Sequence, residues 1–269
     1  MQSRSFTFLF SISYFGARFK GWAVQPGQPT VQGKIEKVLR FVFGHEDFQI
    51  LGSSRTDAGV SCRSGFVQIF LREKVDLEGL LPDFNLHLGG EIRLDSVQEV
   101  PREFNLIQAV KRKTYRYYFS NSDDFHPFAS AYLVHIPGKL DLEKLKEATQ
   151  LFVGLHDFKA FCTPSPNKTD YFREIFSAGI YPSNEFQGQY FPKEIFYFEV
   201  TGNGFLHHQV RIMMNAIWKS GRGEITLEQL SQRLKNPEGC EKIAPAPANG
   251  LVLWETVLGL KDFDLVIDN

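Results

Sequence analysis

The order of apolar patterns in the first hundred residues restricts this chain more than any other feature. Phe6-Thr-Phe-Leu-Phe-Ser-Ile-Ser13 is nearly continuous in apolar character and reads as a central strand. Thr30 is placed to cap a helix in which Val31, Ile35, Val38, Leu39 and Val42 form one stripe, the face that packs on a sheet. Strands follow at about 48–52 and 65–71, then a helix at about 76–86 with Asp76 as its cap, then a strand at 91–98. Strand, helix, strand, strand, helix, strand is the ferredoxin-like order. Order alone does not give function.

The second half is also α+β. Lys111-Arg-Lys-Thr-Tyr-Arg-Tyr-Tyr-Phe119 reads as a strand. Asp141 opens a helix with Leu142, Leu145, Ala148, Thr149 and Phe152 inward, ending near Gly154. Residues 173–181 and 194–201 pattern as a hairpin, and the loop between them, 182–193, is long enough to be mobile. Leu206, Val210, Met213, Met214 and Ile217 mark a buried helix stripe, a second helix follows before residue 234, and Leu251-Val-Leu-Trp-Glu-Thr-Val257 closes the chain as a strand. Two subdomains are expected, at 1–105 and 106–269, and the 43% of hydrophobic residues in 269 is ample for their cores.

Between the two strands of the first half lies Leu51-Gly-Ser-Ser-Arg-Thr-Asp-Ala-Gly-Val-Ser-Cys62, a connection holding one carboxylate, Asp57, two residues ahead of Gly59. Asp-x-Gly is ordinary turn chemistry, the aspartate bonding nearby backbone and the glycine taking a positive φ. It is equally the kind of connection between rigid strands on which chemistry sits. The residues alone leave both readings open.

Other segments carry similar pairs of readings. Residues 14–29 set Phe19 and Trp22 beside Arg18 and Lys20, which suits RNA held by stacking and phosphate contact, and suits equally a loop whose rings pack on the core. In the 111–119 strand, Lys111, Lys113, Tyr115 and Tyr117 share one face. That face is either a solvated amphipathic surface or a basic strip whose tyrosine stacks on an unpaired base. Arg211 lies at the border of its helix stripe, where it either snorkels to solvent or points along the flank to pair with a carboxylate.

Bulk chemistry narrows the classes. Thirty basic against thirty-one acidic residues give a formal charge of −1, so nucleic-acid binding requires the cations to be gathered on one face. Cys62, Cys162 and Cys240 are widely spaced and support neither a disulfide framework nor a zinc ribbon. The histidines never take His-x-x-x-His spacing, so no metal site is expected. No apolar run reaches membrane-spanning length and no signal-peptide pattern opens the chain, so a soluble cytoplasmic protein is expected, with no membrane partner.

Six separated stretches, taken in order, resemble the pseudouridine synthase A family. They are Tyr14-Phe-Gly with Gly21-Trp22 and Thr30-Val-Gln-Gly33; Arg55-Thr-Asp-Ala-Gly59; Tyr115-Arg-Tyr117; Gly154-Leu-His-Asp-Phe158 through Phe161-Cys162; Gly204-Phe-Leu-His-His-Gln-Val-Arg211; and Pro247-Ala-Asn-Gly-Leu251. The resemblance covers nearly the whole chain. It implies two ferredoxin-like, RRM-like subdomains sharing a mixed, mostly antiparallel sheet with a central catalytic cleft, a homodimer, and a cofactor-independent isomerisation of uridine in tRNA, usually at positions 38–40 of the anticodon arm. Asp57 is then the nucleophile, adding covalently or removing the C2′ proton. Arg211 is its charge partner, Tyr115 stacks on the uracil, and Leu251 walls the pocket. Arg55 fills the space of the flipped base or holds a phosphate, and Arg173, Lys111 and Lys113 are further RNA contacts. The alternatives are a ferredoxin-like RNA-binding protein without turnover, a synthase acting at another RNA position, and an enzyme acting on free nucleotides. Three departures stand out: the family usually has an arginine where Ile107 stands, Tyr-Asp-Gly where Tyr14-Phe15-Gly16 stands, and His-Ala where Ser61-Cys62 follows the loop.

Overall fold

The structure, a computed structural model, describes residues 5–76, 79–166 and 168–259. The chain forms two compact units, one of residues 1–111 with 253–269 and one of residues 112–252. The division thus falls a few residues beyond the 105/106 boundary read from the sequence. The last strand, from Leu253, belongs to the first unit.

In the first unit the strands are β1 (Phe6–Tyr14), β2 (Phe48–Gly52), β3 (Ser61–Leu71) and β4 (Ile92–Val100), with α1 (Val31–Phe43) and α2 (Leu80–Leu88) between them. β1 lies between β4 and β3, and β2 pairs with the second half of β3, all antiparallel. That is the expected ferredoxin-like order. Thr30 caps α1 as its sequence requires, its hydroxyl accepting from Gly33 N at 3.2 Å. α2 departs from expectation: it begins at Leu80 after Gly79, which takes a left-handed φ of 78°, and Asp76 lies ahead of the helix rather than capping it. Residues 77 and 78 of the predicted helix lie outside the described residues. A short helix, α3 (Leu106–Ala109), follows β4, capped by the Asn105 side chain. The fully buried Gln68 carboxamide clamps its entry, donating to Phe104 O (2.8 Å) and accepting from Leu106 N (3.1 Å). A buried amide stays in an apolar core only when both ends are bonded, so this clamp fixes the turn that carries exposed Ile107.

The second unit is built on β5 (Val110–Ser120), whose end pairs with the short parallel strand β6 (Val134–His135). After α4 (Leu142–Gln150) come β7 (Gly154–Asp157), β8 (Phe172–Pro182) and β9 (Phe196–Gly202), giving the antiparallel order β5-β9-β8-β7. Then come α5 (Gln209–Gly221), α6 (Leu227–Lys235) and β10 (Leu251–Leu258). α4 and α5 pack closely because Gly221 has no side chain: a Cβ there would stand 2.4 Å from Leu145 Cδ2. The inward face of α5 sets Trp218 edge-on against both Tyr117 and Phe119 of β5, at 5.4 and 5.7 Å.

Candidate active site

The Asp57 loop, residues 53–60, is fixed along its length by groups of its own unit. At its start Ser53 and Phe66 exchange two bonds, Ser53 N to Phe66 O (2.8 Å) and Phe66 N to Ser53 Oγ (3.0 Å). In its middle Trp22 N donates to Thr56 O (3.0 Å), and the hydroxyls of Tyr14 and Thr56 are 2.7 Å apart. At its end Val60 N donates to Asp57 O (3.2 Å), closing a turn through Gly59 at φ 83°, and Gly59 N donates to Phe19 O (3.1 Å). Segment 14–22 lies so close that glycines are required in it. A Cβ on Gly16 would stand 2.0 Å from Val60 O, and one on Gly21, at φ 103°, would stand 3.0 Å from Thr56 O.

This geometry decides between the two readings of residues 14–29. Phe19 and Trp22 are buried, and the Trp22 indole lies so tightly over Gly52 that a Cβ there would come within 2.4 Å of Cζ2. Those rings are the bed of the Asp57 loop rather than a stacking surface for RNA. Arg18 is exposed and pairs with Glu91 at 2.8 Å. Within the loop Asp57 is half-buried and Arg55 exposed. Ser61, standing where the family usually has histidine, accepts from Gly16 N at 2.9 Å and thereby ties the same segment once more.

In the second unit, Tyr115 is opposite Val200 in the β5–β9 register and only 7% exposed, with its ring edge-on to Phe205 at 5.0 Å. Gly202 is required by β8 beside it, since a Cβ there would stand 2.7 Å from Glu174 O, and Phe205 Cζ lies 3.4 Å from the same point. Arg173 is brought to the same place: its Nε lies 4.0 Å from where a Gly204 Cβ would be, and it is steered by Phe172 O and by Asp170 at 3.5 Å. Arg173 thus lies beside the segment that carries Phe205, and the Phe205 ring lies against Tyr115. Lys113, opposite Gly202, is half-buried on the same strand. Lys111 belongs to the first unit and is exposed, with its stem lying over Gly259.

Arg211 does not snorkel. It is half-buried, its Nε donates to Ala246 O (2.7 Å) and its own carbonyl accepts from Ala246 N (3.0 Å). Tyr117 adds a bond from its hydroxyl to Pro247 O (2.6 Å), and burial pushes that phenol well above its ordinary range while the Arg211 charge opposes the shift. Asn249 donates to Ser130 O and Leu133 O, and Gly250 lies within 2.7 Å, by its would-be Cβ, of Tyr118 O. The segment 244–250 is therefore a clamped turn, and it delivers Leu251, buried at 5%, to the start of β10.

One residue that the sequence reading left without a role is His208. It takes φ 61°, the left-handed region, as the only non-glycine among the described residues to do so, and it caps α5. Its ring stacks on His207 at 3.8 Å and its Nδ1 lies 2.8 Å from Thr163 Oγ1, while Thr163 N donates to His207 O (2.9 Å). This joins the stretch ending at Cys162 to the helix that carries Arg211. The only sequence signal is the histidine pair itself, because left-handed backbone at a non-glycine leaves no pattern. Cys162 is not a rival nucleophile: burial pushes its thiol up to about 11, so it is neutral near pH 7.

A family model described as tRNA pseudouridine synthase matches residues 148–257, which include β8, β9, α5 and the clamped turn. Together with the fold, that match defines the class as the pseudouridine synthases, which are isomerases. The chain is 34% identical to tRNA pseudouridine synthase A 2 of Bacillus cereus over 244 residues, covering 90% of this chain and 96% of that one. It is 33% identical to tRNA pseudouridine synthase A of Bacillus pumilus over 248 residues, covering 91% and 96%. To tRNA pseudouridine synthase A of Listeria monocytogenes it is 30% identical over 244 residues, covering 90% and 95%. The chain belongs to the tRNA pseudouridine synthase A family.

Proposed function

We propose that this chain converts uridine to pseudouridine in tRNA, at positions 38–40 of the anticodon arm, with Asp57 as the nucleophile. The reaction breaks the N1–C1′ bond and forms a C5–C1′ bond; C5 gives up its proton and N1 gains one, so the change is an isomerisation. Asp57 adds to the ribose or base, or removes the C2′ proton, and in either case it must arrive ionised and aimed. The observation that supports this role most is the fixation of the Asp57 loop at its start, middle and end, since a carboxylate that must meet one bond gains from preorganised backbone.

Tyr115 stacks on the uracil, with Phe205 holding its ring. Arg211 is the charge partner of Asp57, and Leu251 closes the pocket. Arg55 enters the space left by the flipped base, while Arg173, Lys113 and Lys111 contact phosphate or base. Chemical mapping of pseudouridine in cellular RNA, with and without the protein, tests the reading: loss of the signal at positions 38–40 supports it, and an unchanged map refutes it.

A homodimer is part of the proposal. Phe128, Tyr132 and Tyr190 are exposed on the second unit, Phe128 and Tyr190 in a ring cluster with His126 and Tyr132 in another with Phe186 and Phe191. Nearby Arg116 is bonded to both Glu185 (2.6 Å) and Glu199 (2.7 Å), and the exposed aromatic surface beside it suits a second copy. Sedimentation of wild type against Phe128→Ser measures it. A shift of the variant toward monomer is expected.

A further inference from the structure

We propose that the groove between α1 and α2 in the first unit is a second RNA-binding surface, which takes a strand of the substrate tRNA outside the nucleotide that reacts. The inference rests on the proposed tRNA substrate and adds to it a site distinct from Asp57, Tyr115 and Arg211.

The groove has a volume of about 690 Å³. One stripe of α1 lines it: Thr30, Gly33, Lys34, Lys37, Val38 and Phe41 fall at i, i+3, i+4, i+7, i+8 and i+11, a run of roughly 16 Å along one helix face. Facing them are Arg18, His87 of α2 and Glu91. Arg18 and Lys34 share the Glu91 carboxylate, at 2.8 and 2.6 Å, and Lys37 is exposed with no ion-pair partner among the described residues. Three cations against one carboxylate leave this groove positive in a chain whose formal charge is −1. The opposite flank of α1 is different: there Arg40 is paired with both Glu36 (3.4 Å) and Glu46 (3.1 Å). The balance of charge thus differs between the two sides of one helix, cations outnumbering acids in the groove and acids outnumbering cations on the opposite flank, as an anion-binding face requires.

Charge alone would suit any anion, and the aromatic residue narrows the class. Phe41 is 69% exposed, an unusual cost for a phenylalanine on a folded helix, and its only ring neighbour among the described residues is His87, edge-on at 4.5 Å. Gly33 puts no side chain into the groove between Thr30 and Lys37. The result is an open trough with a free ring at one end and ammonium groups along its length. A base stacked on a ring with its phosphates beside lysines is the chemistry that fits it. An RNA strand supplies both in register.

The test uses the full-length protein and an unmodified tRNA transcript, with binding measured over a salt series. Lys37→Gln and Phe41→Ala change exposed side chains and leave the Glu91 ion pairs in place. Lys37→Gln is expected to lower the slope of log affinity against log salt by about 0.7 to 0.9, one phosphate contact. Phe41→Ala is expected to weaken binding about fivefold or more and Phe41→Tyr to retain it, with turnover at saturating tRNA unchanged in all three. Wild-type affinity and slope in both Lys37→Gln and Phe41→Ala would overturn the proposal, as would equal weakening by Phe41→Ala and Phe41→Tyr. Wild-type protein that binds tRNA with this dependence on Lys37 and Phe41 but forms no pseudouridine would leave the groove standing and remove the proposed reaction instead. Failure of the wild type to bind tRNA would remove both.

Discussion

Substituting Gly21 by alanine should lower turnover as well as stability, whereas the same change at Gly27 should lower stability alone, because of what lies beneath Gly21. Gly21 has φ 103° and Gly27 has φ 68°, so a side chain at either costs about 1–2 kcal/mol of left-handed strain. On that account each variant should lose roughly 2–8 °C of Tm, given the ~2–4 °C per kcal/mol expected for chains of about this size. The surroundings differ completely. Gly27 has nothing within 4 Å of its would-be Cβ, whereas that of Gly21 meets Thr56 O at 3.0 Å, Ala58 N at 3.3 Å and Asp57 C at 3.4 Å. To restore an ordinary contact the Thr56 carbonyl must retreat by about 0.3 Å, and it is already engaged by Trp22 N. Asp57 moves with it. Since a ~1 Å misplacement of a reacting group costs on the order of 10²-fold, a few tenths of an ångström predicts a kcat loss of about tenfold or less. The assay is release of tritium from C5 of uridine in tRNA at saturating substrate, beside thermal melts of both variants. Equal kcat values in Gly21→Ala and Gly27→Ala would refute the argument that segment 14–22 holds the catalytic loop.

Two further outcomes follow from other parts of the structure. Tyr117→Phe removes the hydroxyl that holds Pro247 O and should cost about 1 kcal/mol of stability, read as a Tm loss, with KM for tRNA rising more than kcat falls. Glu91 is held below the usual carboxylate range, first by its hydrogen bond from Lys34 and then by that from Arg18. Its folded-state pKa is depressed, so its stabilising contribution is fully present above the unfolded value near 4.5 and is lost as pH falls through the depressed folded value. The stability gap between wild type and Glu91→Gln, measured by denaturant unfolding, should therefore be flat from neutral pH to about 5 and narrow below it.

The sequence disclosed those elements whose local and tertiary demands agree. α1 is one, because the Thr30 cap and the apolar stripe both specify it, and α4 with its Asp141 cap is a similar case. α2 was misplaced because Asp76 is a plausible cap, while the actual start follows Gly79 in a conformation that only backbone geometry reveals. Loop 182–193 offers the sequence reader only its length, whereas in the structure Phe186 and Phe191 pack on each other at 5.4 Å and Phe186 packs on distant Tyr118 at 5.0 Å, contacts with no local signal. At the site, the motif around Asp57 was legible, and the reason for its neighbours was not. Trp22 and Phe19 looked as suited to RNA as to a core until burial distinguished the two. Arg211 looked like a surface arginine because helical periodicity says nothing of the Ala246 carbonyl that engages it. His208 lay beyond any pattern.

The central claim is that Asp57 performs the chemistry. Its most direct test is Asp57→Ala, assayed for pseudouridine in tRNA beside tRNA binding. The account predicts no detectable pseudouridine, with affinity within about tenfold of wild type, or ~1.4 kcal/mol. Turnover by Asp57→Ala, or loss of turnover explained by an equal loss of binding, would contradict it.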